Sequence, residues 1–215
     1  MATTDSNTDT RTGTHELAHP SEHTEIWLIR HGETEWSLSG QHTGRTDIPL
    51  TEHGREQARS LRSALAAQPF DHVFTSPRVR ARETCREAGL GDHAQVEPDL
   101  SEWDYGIYEG RTTHDIRSTE PDWAIWQSAI PQGESRDQIQ ARALGLIERL
   151  LPLGGRIALF SHGHFLRVLG GCWVTETAAF GAHLFLDTAS ASVLGFERDT
   201  RAIRQWNVRY PVNAG

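Results

Sequence analysis

The chain has 215 residues, a formal net charge of -8 and two cysteines. That length suits one domain able to bury a full core. The acid excess argues against a nucleic-acid or anionic-membrane partner, and no apolar run approaches the ~20 residues of a membrane span. Cys85 and Cys172 stand far apart and form no CxxC pattern. They read as reduced, partly buried helix residues rather than a disulfide framework.

Residues 1–24 are rich in Thr, His, Ser and Asp with almost no apolar content, and are expected to be a disordered leader ahead of a domain at 25–215. The leader lacks the apolar core of a signal peptide, so a cytoplasmic protein is expected. His15, His19 and His23 fall four apart, a spacing that would stack three imidazoles on a helix. Pro20 interrupts that helix and no carboxylate set completes a site, so no metal is expected there.

From residue 25 the pattern becomes strand, helix, strand, helix. Residues 25–30 (EIWLIR) form a short continuous apolar run, as buried parallel strands do. Residues 49–69 read as one helix with Thr51 as N-cap and Ala58, Leu61 and Leu65 on one face. Residues 72–76 give a second strand, 78–88 a helix, and 94–100 a short strand leading into a loop. A long helix over 134–150 ends at Pro152 and Gly154. Residues 156–161 (RIALFS) are another buried strand, and 164–174 another helix. Strands near 183–187, 192–197 and 203–208 complete the sheet. This order predicts a three-layer α/β/α domain with a mostly parallel central sheet.

In such a sheet, ligands sit beyond the carboxyl ends of the strands. The first strand ends in Arg30–His31–Gly32 and a later one in Ser161–His162–Gly163. Each histidine is followed by a glycine that lets backbone approach a ligand. Residues 76–84 (SPRVRARET) begin a helix with Arg78, Arg80 and Arg82, where cations oppose the helix dipole; a bound phosphate would explain them. Those three side chains cannot share one face, so one or two are expected to face solvent. Residues 100–110 (LSEWDYGIYEG) set carboxylates among aromatics. Partial desolvation there suits a general acid, with Glu102, Asp104 and Glu109 all candidates.

These four motifs, in this order, resemble the histidine phosphatase (phosphoglycerate mutase-like) superfamily over about residues 25–207. The resemblance implies His31 as a nucleophile that becomes phosphohistidine. Arg30, Arg80 and His162 would surround the phosphoryl group with positive charge, and Glu102 would protonate the leaving oxygen and later activate water. Ser37, Thr43 and Gly44 fall where relatives contact phosphate or substrate. Arg45, Tyr105, Gly163 and His164 complete the expected substrate-binding set. No metal or other cofactor is implied.

Cofactor-dependent mutases of the family carry Asn where this chain has Ser37, and HGN where it has His162–His164; they also have basic groups after the EG turn that this chain lacks. Hydrolysis is therefore expected rather than mutase activity. A non-catalytic phospho-ligand module is the reading outside enzymes, and the presence of His31, Glu102 and His162 weighs against it. Residues 35–51, 76–84, 102–110 and 162–167 are similar to the sedoheptulose-1,7-bisphosphatase-like branch, although those proteins carry an added segment after the helix that follows HGH. The expected partner is a small phosphorylated sugar or sugar bisphosphate, and the expected assembly a homodimer.

Overall fold

Apolar residues over 26–29 alternate between two faces, and both faces are covered. In the computed structural model, which describes residues 24–212, β1 (Glu25–Arg30) sends Ile26 and Leu28 to one core and Trp27 and Ile29 to the other. The chain continues through α1 (Glu35–Ser39), α2 (Glu52–Ser60), α3 (Arg62–Ala66), β2 (His72–Thr75), α4 (Val79–Glu87) and β3 (Gln95–Val96). It then forms α5 (Thr113–Arg117), α6 (Arg136–Leu150), β4 (Arg156–Ser161), α7 (Gly163–Thr175), β5 (Ala191–Glu197) and β6 (Thr200–Val208). The sheet order is β3-β2-β4-β1-β5-β6. The first four strands in that order run parallel, and β5 and β6 close the far edge antiparallel.

One core joins the sheet to α6 and α7 through Ile139, Leu146, Leu166 and Trp173; the other joins it to the α2–α4 side through Leu61, Leu65, Cys85 and Ala88. The protein is thus a three-layer α/β/α domain, as its patterning predicts. Burying an aliphatic side chain of this kind contributes about 1.5–3 kcal/mol, which is why the doubly covered strands β1 and β4 are the most apolar. Both cysteines are free and buried.

Local signals set the element ends. Thr51 caps α2 by accepting from the Gly54 backbone N–H at 2.9 Å. Ser135 and Gln138 form a capping box that starts α6 at Arg136, two residues later than the sequence suggests. The single helix expected over 49–69 is two: at Leu61 the backbone N–H bonds to Ala58 three residues back, a tighter turn that separates α2 from α3. The strand expected near 183–187 does not form. Its backbone groups bond elsewhere: Phe185 O accepts from the Trp206 indole, and Asp187 N–H donates to the Asn207 side chain. The expected leader and its three histidines lie outside the described residues.

Two glycines lock the first loop to α2. A Cβ on Gly32 would collide with the Gly54 carbonyl, and one on Gly54 would collide with the Glu33 carbonyl. The pair sits directly behind His31. Gly54→Ala should therefore lower unfolding stability by about 1–3 kcal/mol, an overpacking cost, as read by urea denaturation. An unchanged midpoint would show that the contact relaxes freely.

Candidate active site

Strand register builds the site. Arg30 of β1 pairs with Ser161 of β4, and Thr75 of β2 pairs with Phe160 of β4. The residues that follow, His31, His162 and Ser76, leave three adjacent strand ends at one level. The rings of His31 and His162 lie 5.3 Å apart.

Nδ1 of His31 lies 2.7 Å from the Gly32 carbonyl oxygen. A carbonyl can only accept, so the proton is on Nδ1 and Nε2 carries the lone pair. Burial, reinforced by the charges of Arg80 and Arg30, holds the protonation of His31 well below the usual histidine value. The ring is neutral and nucleophilic at Nε2. Arg30 donates through Nη1 to the Leu186 carbonyl, and its buried Nε has no partner. A Cβ at Gly163 would come within 3.2 Å of that Nε, so glycine there leaves room for the guanidinium.

His162 is fixed from both sides. The Arg80 Nε–H donates to its Nδ1 at 3.0 Å, and its Nε2 lies 2.7 Å from Ser76 Oγ. Because arginine only donates, Nδ1 is unprotonated and Nε2–H faces the serine. Burial and the Arg80 charge push its protonation well below the ordinary value. His162 is thus a neutral ring with both nitrogens engaged, and not the positive charge that the resemblance implies. Arg80 itself is fully buried and spends its other donors on the carbonyls of Thr43, Gly44 and Thr46. Its charge acts on His31 from beneath the 43–46 loop. Of its neighbours on α4, Arg82 is exposed, whereas Arg78 is half-buried with its Nε unpartnered.

The three carboxylates separate by their partners. Glu109 accepts from the N–H groups of Gly44 and Thr46 and anchors the loop that wraps Arg80. Asp104 accepts from Gly106 N–H and pairs with Arg45 at 2.7 Å. Glu102 sits at the N-terminus of α7: Oε1 accepts from Trp103 and Phe165 N–H, and Oε2 from His164 N–H. Of the three, Glu102 alone lines the cavity that holds His31.

That cavity, of about 280 Å³, is lined by Arg30, His31, Ser37, Thr43, Glu102, Tyr105, Gly163 and His164 among the residues singled out from sequence. Ser37 takes part mainly as a helix start, since its hydroxyl closes the capping box with Thr34. Gly44 and Arg45 do not line it. Arg45 is 75 % exposed and turned toward Asp104 on a neighbouring cleft. The polar loop over 39–47, whose hydroxyl, amide and imidazole groups the sequence offers for substrate, does reach the wall through Gln41 and His42, whereas Thr113 and Arg167, which also form it, were not singled out. Arg167 lies one helical turn after Gly163, a spacing that was available as a signal. Burial lowers His42 to about 4 and holds His164 well below its usual value, the latter helped by Arg167, so both rings are neutral. Burial also keeps the Tyr105 phenol protonated, and its hydroxyl lies 2.7 Å from His164 Nδ1.

A neutral histidine with a free Nε2, two arginine charges and a cavity-facing carboxylate suit phosphoryl transfer. The sequence profile of the histidine phosphatase superfamily (branch 1) matches residues 26–209. The chain belongs to this superfamily. It is 43 % identical over 182 residues to an acid phosphatase of Mycobacterium tuberculosis, covering 83 % of this chain and 89 % of that one. It is 38 % identical over 178 residues to sedoheptulose 1,7-bisphosphatase of Saccharomyces cerevisiae, covering 68 % of this chain and 66 % of that one. A solved structure of a Mycobacterium tuberculosis open reading frame superposes with a TM-score of 0.80 at 39 % identity, over 86 % of this chain and 98 % of the other. The protein is a phosphoric monoester hydrolase of the histidine phosphatase family.

The buried neutral histidines fix a pH response. His31, His42, His162 and His164 have folded-state values below the ordinary 6.5, so the unfolded chain binds more protons once the pH drops past that value. Their contribution to stability is complete above about 6.5 and declines as pH falls, by up to about 1.4 kcal/mol per pH unit for each group. The urea midpoint should therefore drop between pH 7 and pH 5. Over the same range kcat/KM should show no loss of activity with a midpoint near 6.5, because the His31 ring stays unprotonated. A histidine-like acid limb at 6.5 would contradict the burial of His31.

Proposed function

We propose that the protein hydrolyses a small phosphorylated sugar through a phosphohistidine on Nε2 of His31. The observation that carries this reading is the orientation of the ring, with Nδ1–H held by the Gly32 carbonyl and Nε2 free beside Arg30. In the first step Nε2 forms a bond to phosphorus while the ester P–O bond breaks. Glu102, protonated on Oε2, gives its proton to the leaving oxygen. Oε2 is the suitable atom because it accepts one backbone N–H where Oε1 accepts two. In the second step the Glu102 carboxylate takes a proton from water as that water attacks phosphorus and the P–N bond breaks, restoring both groups. Arg30, with Arg80 beneath, compensates charge on the phosphoryl oxygens, so positioning and electrostatics do the work without a metal.

The cavity wall supports a sugar-like substrate. Gln41, Thr113, His42 and His164 offer neutral donors and acceptors suited to hydroxyl groups. The names of the relatives, acid phosphatase and sedoheptulose 1,7-bisphosphatase, agree with this substrate class. The domain at 25–215, the cytoplasmic location and the homodimer remain part of the proposal. Among the described residues no helix is long and apolar enough to cross a membrane. Light scattering reads the assembly directly.

Phosphate release from a panel of sugar phosphates, phosphoglycerates and p-nitrophenyl phosphate tests the reading. Sugar phosphates should have the higher kcat/KM, His31→Ala should release no phosphate from any of them, and EDTA should leave the wild type active. Transfer of phosphate from 2,3-bisphosphoglycerate to monophosphoglycerate faster than release to water would favour the mutase reading. Glu102→Gln should slow alkyl phosphates by at least about 100-fold, the scale of general acid catalysis, and p-nitrophenyl phosphate much less, since its leaving group needs little protonation. Equal losses on both would remove Glu102 from the acid role.

A further inference from the structure

The His31 tautomer rests on the Gly32 carbonyl, and that carbonyl belongs to a peptide unit that glycine alone would leave free to turn. The peptides on either side are held from both edges. Ahead of it, the Gly32 N–H donates to Thr84 Oγ1 at 3.0 Å, and the His31 carbonyl accepts from Ala189 N–H at 3.0 Å. Behind it, the Glu33 carbonyl accepts from Thr51 N–H at 3.0 Å, and Thr34 N–H donates to Ser37 Oγ at 2.8 Å. Among the described residues, the one hydrogen bond of the 32–33 peptide besides that to His31 runs from Glu33 N–H to Oε1 of Gln57, at 2.9 Å. An N–H only donates, so the carbonyl end of the Gln57 amide faces it.

The placement of Gln57 follows from α2. Gly54 lets that helix approach the 32–33 backbone, since a Cβ there would strike the Glu33 carbonyl. Gln57 lies three residues on, on the same helix face, and its half-buried side chain reaches Glu33 N–H. Gln57 does not line the cavity, so it has no direct hold on substrate.

These bonds run in series. Gln57 Oε1 accepts from Glu33 N–H, and across the same planar unit the Gly32 carbonyl accepts from His31 Nδ1–H at 2.7 Å. Turning that plane weakens both bonds together. Linked hydrogen bonds also polarise one another, so an acceptor at one edge makes the carbonyl at the other a better acceptor. We propose that Gln57 is a positioning residue that sets the His31 tautomer through the Gly32–Glu33 peptide. A buried carboxylate does this directly behind the histidine of a catalytic triad; here an amide acts through one peptide unit. The proposal rests on the reading of His31 Nε2 as the attacking atom, and adds what holds the ring in that form.

Nitrogen NMR on the full-length protein carrying labelled histidine tests this, because the shifts of a neutral imidazole report which nitrogen holds the proton. His31→Ala assigns the signals. The variants are Gln57→Met, which fills the space without an acceptor, and Gln57→Glu, which keeps one. Methionine should lower kcat on p-nitrophenyl phosphate about tenfold, the scale of one neutral hydrogen bond, with KM within about twofold. Its His31 signals should move toward a mixture of tautomers. Glutamate should keep the wild-type pattern and most of kcat. An unchanged kcat in Gln57→Met, or an effect confined to KM, overturns the proposal. So does a fall in kcat with the wild-type tautomer intact, which marks a merely structural role, or a glutamate variant as impaired as methionine. If Gln57→Met does not fold, Gln57→Asn, whose carbonyl falls one methylene short, is judged by the same two readings. The NMR reading needs no turnover. A tautomer that depends on Gln57 in a protein releasing no phosphate from any ester would refute the phosphatase reading while upholding the positioning role.

Discussion

The parallel pairing of β1 with β4 is the constraint on which the rest of the site depends. Six consecutive residues pair from Glu25–Arg156 to Arg30–Ser161, and the next residue of each strand is a histidine. A shift of one residue would exchange the faces of every side chain on β1 and carry His31 away from His162. Both cores oppose such a shift, since Ile26 and Leu28 belong to one and Trp27 and Ile29 to the other. The energy that fixes the catalytic geometry is therefore mainly hydrophobic burial beneath it. His31 N–H bonding to the Ser161 carbonyl at 3.0 Å extends the pairing one residue beyond the strand.

Above that base, electrostatics are arranged against the overall charge of the chain. Arginines 30, 80 and 167 are desolvated by burial, and none has a carboxylate partner within ion-pair distance among the described residues. They differ in what they face. Arg80 is committed to loop carbonyls and His162, so its role is to set a tautomer and a field. Arg30 and Arg167 keep free donors on the cavity. The surrounding histidines stay neutral, so the positive potential comes from groups that do not titrate in the working range, and the histidine rings keep lone pairs and N–H groups for bonding.

Much of this was legible in the sequence. Strands over 25–30 and 156–161 announce themselves by continuous apolar runs, and Thr51 caps its helix as its position suggests. The family resemblance singled out His31, Glu102 and His164, which share one cavity. What was not legible depends on distant partners. Residues 183–187 have strand-like composition, but their backbone is satisfied by Trp206 and Asn207. Arg45 and Arg167 look equally eligible as letters. Asp104 draws the first outward, and the carbonyls of Gly181 and Ala182 with the Trp126 ring hold the second on the cavity. The charge state of His162 follows from burial and the Arg80 charge, and its tautomer from Arg80 and Ser76, which come from a helix and a different strand end.

The central claim is that His31 reacts through Nε2 because Nδ1–H is tied to the Gly32 carbonyl. Phosphorus NMR on enzyme quenched under alkaline conditions during turnover reads the site of attachment, since phosphate on the two imidazole nitrogens gives distinct signals. Proteolysis and mass spectrometry then locate the residue. A single phosphohistidine at His31, attached at Nε2, is the predicted result. Attachment at Nδ1, or phosphate on any other residue, would contradict the account.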